Sequence, residues 1–185
     1  MNSIDLSQSL AELTIDVCNI ESVSGNEKTL ADLVEKSLDF AHLEVIRDGN
    51  AVIAKTNLGR AKRIILAGHL DTVPIADNLP AKLMHFEREQ VVWGRGSVDM
   101  KGGVAVFLKL ASELVNPKYD LTWIFYDQEE IESEKNGLGR IAKNHPELLA
   151  GDFAILGEPS SAQLEGGCNG TIRIQISTKG QKAHS

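Results

Sequence analysis

One imidazole and five carboxylates fall in four short stretches: His69 with Asp71, then Asp99, then Glu129 with Glu130, then Glu158. Three of these stretches follow runs apolar enough for buried strands, at residues 64–68, 121–127 and 153–157, and Asp99 follows residues 91–96. In open α/β sheets, sites form beyond the carboxyl ends of the strands, so this placement matters more than the number of acids. The two-residue spacing of His69 and Asp71 puts both side chains on one face of an extended backbone. A carboxylate there can hold the second ring nitrogen and fix the tautomer that binds metal. Adjacent Glu129 and Glu130 point to different sides, so one can ligate while its neighbour moves protons. A histidine among carboxylates suits a divalent ion, and Zn²⁺ accepts both donor types. Two ions sharing a carboxylate can polarise a carbonyl and lower the pKa of bound water to about 7. A free glutamate can then carry the proton to a leaving nitrogen, which is amide hydrolysis.

Each stretch alone has a plainer reading. His-x-Asp tripeptides are common on surfaces. Asp99 could cap the helix that follows it. Glu129 and Glu130 could belong to a solvated acidic loop with Glu132 and Glu134, and Glu158 before Pro159 suits a turn. The glycine-rich run Gly94-Arg95-Gly96-Ser97-Val98-Asp99-Met100-Lys101-Gly102-Gly103 is not a nucleotide loop. The third glycine of a dinucleotide fingerprint would fall on Asp99, and no Gly-Lys-Ser/Thr follows at phosphate-loop spacing. His42, His85 and His145 read as peripheral, Cys18 and Cys168 as packing residues, and Lys101 at most as a charge partner for an acid.

The elements that must position these groups are legible in outline. Leu6, Leu10, Leu13, Val17 and Ile20 form one helical face. Ser24 and Glu27 have capping-box spacing before a second helix striped by Leu30, Leu33, Val34, Leu38 and Ala41. Residues 43–47 and 51–56 flank Asp48-Gly49-Asn50 as a hairpin, and residues 83–87 and 90–93 suggest another. Val104, Phe107, Leu108, Ala111 and Val115 define a third helix that stops near Asn116-Pro117. Residues 64–67, 121–126 and 153–156 read as strands buried on both faces. Strands alternating with helices around such runs indicate a layered α/β domain. Past about Glu165 the pattern changes: Ile172, Ile174 and Ile176 alternate with polar residues, as in a strand with one wet face. This reads as the first strand of a second domain, and one strand cannot make a domain.

Composition narrows the partners. The 185 residues carry 19 Lys and Arg against 26 Asp and Glu, a net charge of −7 that argues against nucleic acid. No apolar run approaches the ~18 residues of a membrane span, and the first residues lack the pattern of a secretory signal. Two distant cysteines exclude a disulfide scaffold and make the cytoplasm the expected location.

Taken together, Leu66-Ala67-Gly68-His69-Leu70-Asp71-Thr72-Val73-Pro74, the 94–103 run, Glu129-Glu130 and Gly157-Glu158-Pro159 resemble the M20 family of metallopeptidases and amidohydrolases in order and spacing. The resemblance implies a three-layer zinc-hydrolase catalytic domain with a central mixed sheet over residues 1–166. Residues 167–185 would begin an α+β lid or dimerisation domain. It further implies two zinc ions per intact site, with cobalt as a possible substitute. His69 and Glu158 would bind the first ion, Glu130 the second, and Asp99 would bridge both. Asp71 would orient His69, and Glu129 would be general base and then acid. His184, in the final segment, would help hold the scissile carbonyl, in some members from the partner subunit of a homodimer. A cis peptide at Asp99-Met100 is also implied. Within the family the likeness is strongest to the actinobacterial desuccinylase branch, through residues 68–80, 136–141 and 156–174. That branch cleaves N-succinyl-LL-2,6-diaminopimelate, an N-acyl amino acid, to succinate and LL-2,6-diaminopimelate. Acetylornithine deacetylation, peptide cleavage and a non-catalytic metal-binding fragment are the alternatives. Gln128 departs from the family's more usual acid at that position. The family's further histidine, far downstream, has no counterpart here, so the chain resembles the N-terminal part of such an enzyme, with at most one tight zinc expected, at His69, Asp99 and Glu158.

Overall fold

The computed structural model describes residues 3–167 and 174–180. Helix α1 spans Leu10–Asn19 and begins at a reciprocal capping box, in which Ser9 Oγ accepts from Glu12 N and the Glu12 carboxylate accepts from Ser9 N. That box starts the helix four residues later than Leu6 suggests, although Leu6 is buried all the same. The box expected at Ser24 and Glu27 does not form. Helix α2, Lys28–Ser37, starts without a side-chain cap, because Ser24 Oγ donates instead to the Asp71 carboxylate at 2.6 Å. A buried charged acceptor outcompetes a local backbone partner.

Strands β1 (Glu44–Asp48) and β2 (Ala51–Lys55) form the expected hairpin, with Gly49 at φ +60°, a conformation glycine adopts without a Cβ penalty. Strand β3 is Arg63–His69, and β4 (Lys82–Phe86) and β5 (Glu89–Trp93) make a separate hairpin. Helix α3 (Lys101–Glu113), strand β6 (Asp120–Tyr126), helix α4 (Gly137–Asn144) and strand β7 (Phe153–Leu156) follow. The main sheet has the order β1-β2-β6-β3-β7 and is mixed: β6, β3 and β7 are parallel, and β2 runs antiparallel to β6.

Period-two alternation sorts the strand residues onto two cores. Val52, Ala54, Leu66, Leu121, Trp123 and Phe125 face α1, α2 and α3. Ala51, Ile53, Ile65, Ala67, Ile124 and Tyr126 face the other way, onto Ile141 of α4 and Leu148. Helices therefore cover both faces, giving the three-layer α/β arrangement. Trp123 and Phe125 are fully buried at the centre, where each such side chain stabilises the fold by about 2–3 kcal/mol.

Strand β7 departs from expectation. Among the described residues it pairs with β3 alone, at the sheet edge, and Phe153 and Leu156 remain 62% and 56% exposed. No helix among the described residues lies over it. The strand expected through Ile172, Ile174 and Ile176 falls partly outside the described residues, and residues 174–180 form no strand. Cys168 and His184 also lie outside them.

Candidate metal centre

Parallel pairing brings three chain segments to one edge of the sheet. His69 is the last residue of β3 and pairs with Tyr126, the last of β6. Glu129 and Glu130 follow β6 within four residues, and Glu158 follows β7 by two. Asp99 reaches the same edge from the loop before α3. Its carboxylate does not cap that helix, whose N-cap is Met100. The Asp99-Met100 peptide is cis.

The His69 ring is buried, with Nε2 lying 3.0 Å from Asp99 Oδ1 and 3.9 Å from Glu158 Oε2. One ligand atom each from His69, Asp99 and Glu130 lie within 4.8 Å of one another. The trio includes Glu130, and Glu158 stands just beside it. Nδ1 lies 3.0 Å from the main-chain oxygen of Asp71 and 3.5 Å from its Oδ1. A carbonyl can only accept, so Nδ1 carries the proton; Nε2 faces the Asp99 carboxylate, donating to it when the ring is protonated and free to offer its lone pair to an ion in place of that proton. Asp71 therefore orients His69 chiefly through its backbone. Its carboxylate has another task, accepting from Glu129 N at 2.9 Å, Glu130 N at 3.1 Å and Ser24 Oγ at 2.6 Å.

The electrostatics match a cation site. Burial works against a charged His69, yet Asp71, Glu158 and Asp99 push its pKa up to about 9. Burial first, then repulsion from neighbouring acids, raises the Glu130 and Glu158 carboxyls above their ordinary value. Burial also opposes charge on Asp71, but its hydrogen bonds from His69, Ser24 and the two glutamate amides hold its carboxyl low. An imidazole with its far proton already held, facing carboxylates that repel one another, fits a divalent ion such as Zn²⁺.

The glycine-rich run serves close packing. A Cβ on Gly103 would stand 2.5 Å from the Gly157 carbonyl oxygen, and one on Gly157 would press on Met100 and Phe107. Glycine at both positions lets the loop bearing Asp99 and the loop bearing Glu158 approach each other. Lys101 makes no ion pair among the described residues: its buried Nζ donates to the Ile20 carbonyl at the end of α1, at 2.7 Å. Burial pulls its pKa down to about 8. Beside the acids lies a cleft of about 370 Å³ lined by Val73, Arg95, Ser97, Val98, Asp99 and Glu130. Arg95 Nε is buried without a hydrogen-bond partner.

Two supports were missed in the sequence. Ser24 has the spacing of a helix cap, and nothing local reveals its bond to a residue 47 positions away. Arg140 of α4 binds Asp127, just before the acidic pair, through Nη2–Oδ1 at 2.6 Å, and Asp48 through Nε–Oδ1 at 2.7 Å. Asn136 caps α4, and this cap with Leu138 and Ile141 behind it is a readable helix signal. His42, as expected, is peripheral, with Nε2 2.9 Å from the Ala111 oxygen.

A family model described as "Peptidase family M20/M25/M40" matches residues 65–179. The chain is 50% identical over 184 residues to a Mycobacterium tuberculosis protein provisionally named a succinyl-diaminopimelate desuccinylase, covering 98% of this chain and 51% of the relative. It is 46% identical over 179 residues to the succinyl-diaminopimelate desuccinylase of Corynebacterium glutamicum, covering 94% and 47%. The chain thus spans about half the length of the curated relatives it matches. A Staphylococcus aureus tripeptidase shares the fold with a TM-score of 0.64 at 22% identity, over 83% of this chain and 43% of that one. Human carnosine dipeptidase 1 does so at 0.64 and 17%, over 80% and 38%. No helix among the described residues is long and apolar enough to cross a membrane.

Proposed function

From the premise that the chain belongs to peptidase family M20/M25/M40, we propose that the intact protein is a zinc-dependent amidohydrolase that cleaves N-succinyl-LL-2,6-diaminopimelate. The observation that carries this reading is the clustering of His69, Asp99 and Glu130 beside Glu129, with both glutamate amides anchored on Asp71. The sequence identity to named desuccinylases supports this choice of substrate.

His69, Asp99, Glu130 and Glu158 would hold the metal, Asp99 as the shared ligand of a two-ion site in which cobalt could replace zinc. When bound, such ions polarise the scissile carbonyl and acidify water. Glu129 takes a proton from the attacking water as its oxygen bonds to the amide carbon. It then delivers that proton to the leaving nitrogen as the C–N bond breaks, giving succinate and LL-2,6-diaminopimelate. His184 steadies the carbonyl. Arg95 lines the cleft beside Asp99 and Glu130, has no ion-pair partner among the described residues, and suits a substrate carboxylate. The active form would be a cytoplasmic homodimer whose lid begins at residue 167. Glu129→Gln in the intact protein should keep its zinc and lose nearly all turnover on the succinylated substrate. Full activity in that variant would remove Glu129 as the base. Faster turnover of acetylornithine than of the succinylated substrate would redirect the specificity.

A further inference from the structure

We infer that Ser24 is a positioning residue of this metal centre, acting through the Asp71 carboxylate on the glutamate pair. The inference rests on the metal-centre reading above and adds a residue from outside its motifs.

Asp71 is wholly buried, and its carboxylate carries its charge with no lysine or arginine bonded to it among the described residues. Its donors sit on both oxygens. Glu129 N approaches Oδ1; Glu130 N and Ser24 Oγ approach Oδ2. A carboxylate held at both oxygens cannot turn about Cβ–Cγ without breaking a bond, so its plane is fixed. The Ser24 bond is the shortest of the three, at 2.6 Å, as expected of a hydroxyl on an ionised acceptor. His69 Nδ1 stands farther off, 3.5 Å from Oδ1, so of the three hydrogen bonds Ser24's is the one from outside the acidic loop. It therefore ties that loop to an independent part of the fold.

Ser24 can act as an anchor because its own segment is pinned. Val23 and Thr72 form a parallel bridge, with Ser24 N donating to Thr72 O at 3.1 Å and Thr72 N to Ser22 O at 3.0 Å. Ser22 Oγ donates to Leu70 O at 2.7 Å. Residues 22–24 thus pair, through this isolated bridge, with the turn that carries Asp71, and Ser24 converts that backbone pairing into a constraint on the carboxylate. Without the hydroxyl, Asp71 Oδ2 keeps only the Glu130 amide. The plane of the carboxylate is then free to follow the loop instead of holding it.

Partners that orient ligands typically alter metal affinity by about 10- to 100-fold when lost. The test uses the intact protein with Ser24→Ala and Ser24→Thr, measuring zinc affinity by competition with a chromophoric chelator and thermal stability of the metal-free forms. Ser24→Ala should weaken zinc binding about tenfold or more, and Ser24→Thr, which keeps the hydroxyl, should restore it. A Ser24→Ala protein with lowered thermal stability but wild-type zinc affinity would overturn the inference, because the hydroxyl would then serve folding alone. An intact wild-type protein that takes up no zinc would instead overturn the functional reading beneath it.

Discussion

Asp71→Asn is the sharpest probe of the network, because it changes charge and one donor–acceptor relation while conserving shape. In the wild type both carboxylate oxygens accept, Oδ1 from Glu129 N and Oδ2 from Glu130 N and Ser24 Oγ. An asparagine offers one oxygen and one NH₂. If the oxygen faces Glu129 N, the NH₂ faces Glu130 N and Ser24. The serine hydroxyl can rotate and accept, but the Glu130 amide cannot and is left without a partner. Reversing the amide orphans Glu129 N instead. One buried N–H without an acceptor costs about 1–3 kcal/mol, and loss of charge assistance on the remaining bonds adds about 1 kcal/mol. The total, about 2–4 kcal/mol, falls on the loop that carries Glu129 and Glu130. At about 1.4 kcal/mol per tenfold, it corresponds to about 30- to 700-fold more frequent opening of that loop. Hydrogen exchange on the metal-free protein reads this directly, as faster exchange at the Glu129 or Glu130 amide with the sheet amides of β3 and β6 unchanged. Wild-type exchange at both glutamates in Asp71→Asn would refute the reasoning, since neither amide would then depend on the carboxylate.

Three further outcomes follow from other groups. Asp120 accepts from Thr56 Oγ1, Leu58 N and Arg60 N, each at 2.8 Å, and although burial opposes it these bonds hold its carboxyl below the usual 3.8. Its stabilisation is therefore complete above the unfolded pKa and disappears as pH falls through the lower folded value, so the stability gap between wild type and Asp120→Asn in urea titrations should narrow below about pH 4. Arg140→Leu strips the guanidinium from buried Asp127 and leaves Asp48 with Asn144 and, at 3.7 Å, His145; it should destabilise by about 3 kcal/mol, and pairing it with Asp127→Asn should recover part of that loss in chemical denaturation. Cys18 is fully buried, and burial pushes its thiol up to about 11. In a Cys168→Ser background it should resist thiol reagents at neutral pH until the protein unfolds, as followed by mass spectrometry.

The strands were legible wherever apolar runs were long enough to be buried on both faces, as at β3 and β6. The same signal misjudged β7, because an apolar run says nothing of whether another layer arrives to cover it. The 3.6-residue stripes located α1, α2 and α3, but their starts depended on which partner each hydroxyl chose. Ser9 took the local glutamate and Ser24 took a distant aspartate.

The chemical identities of the site belong to the sequence by itself: one imidazole and several carboxylates, each placed just past a strand, are a donor set for a divalent ion whatever the fold. Which acids would share that ion was decided by tertiary structure alone. Parallel pairing of β6, β3 and β7 brought together residues separated by up to 89 positions, His69 and Glu158. The same assembly gave Asp71 its divided role, its backbone oxygen on His69 and its carboxylate on the glutamate amides and Ser24. The physical reason is that hydrogen bonds are directional and short-ranged. A residue's type fixes what it can donate or accept, and only the folded chain fixes what lies within about 3 Å to receive it.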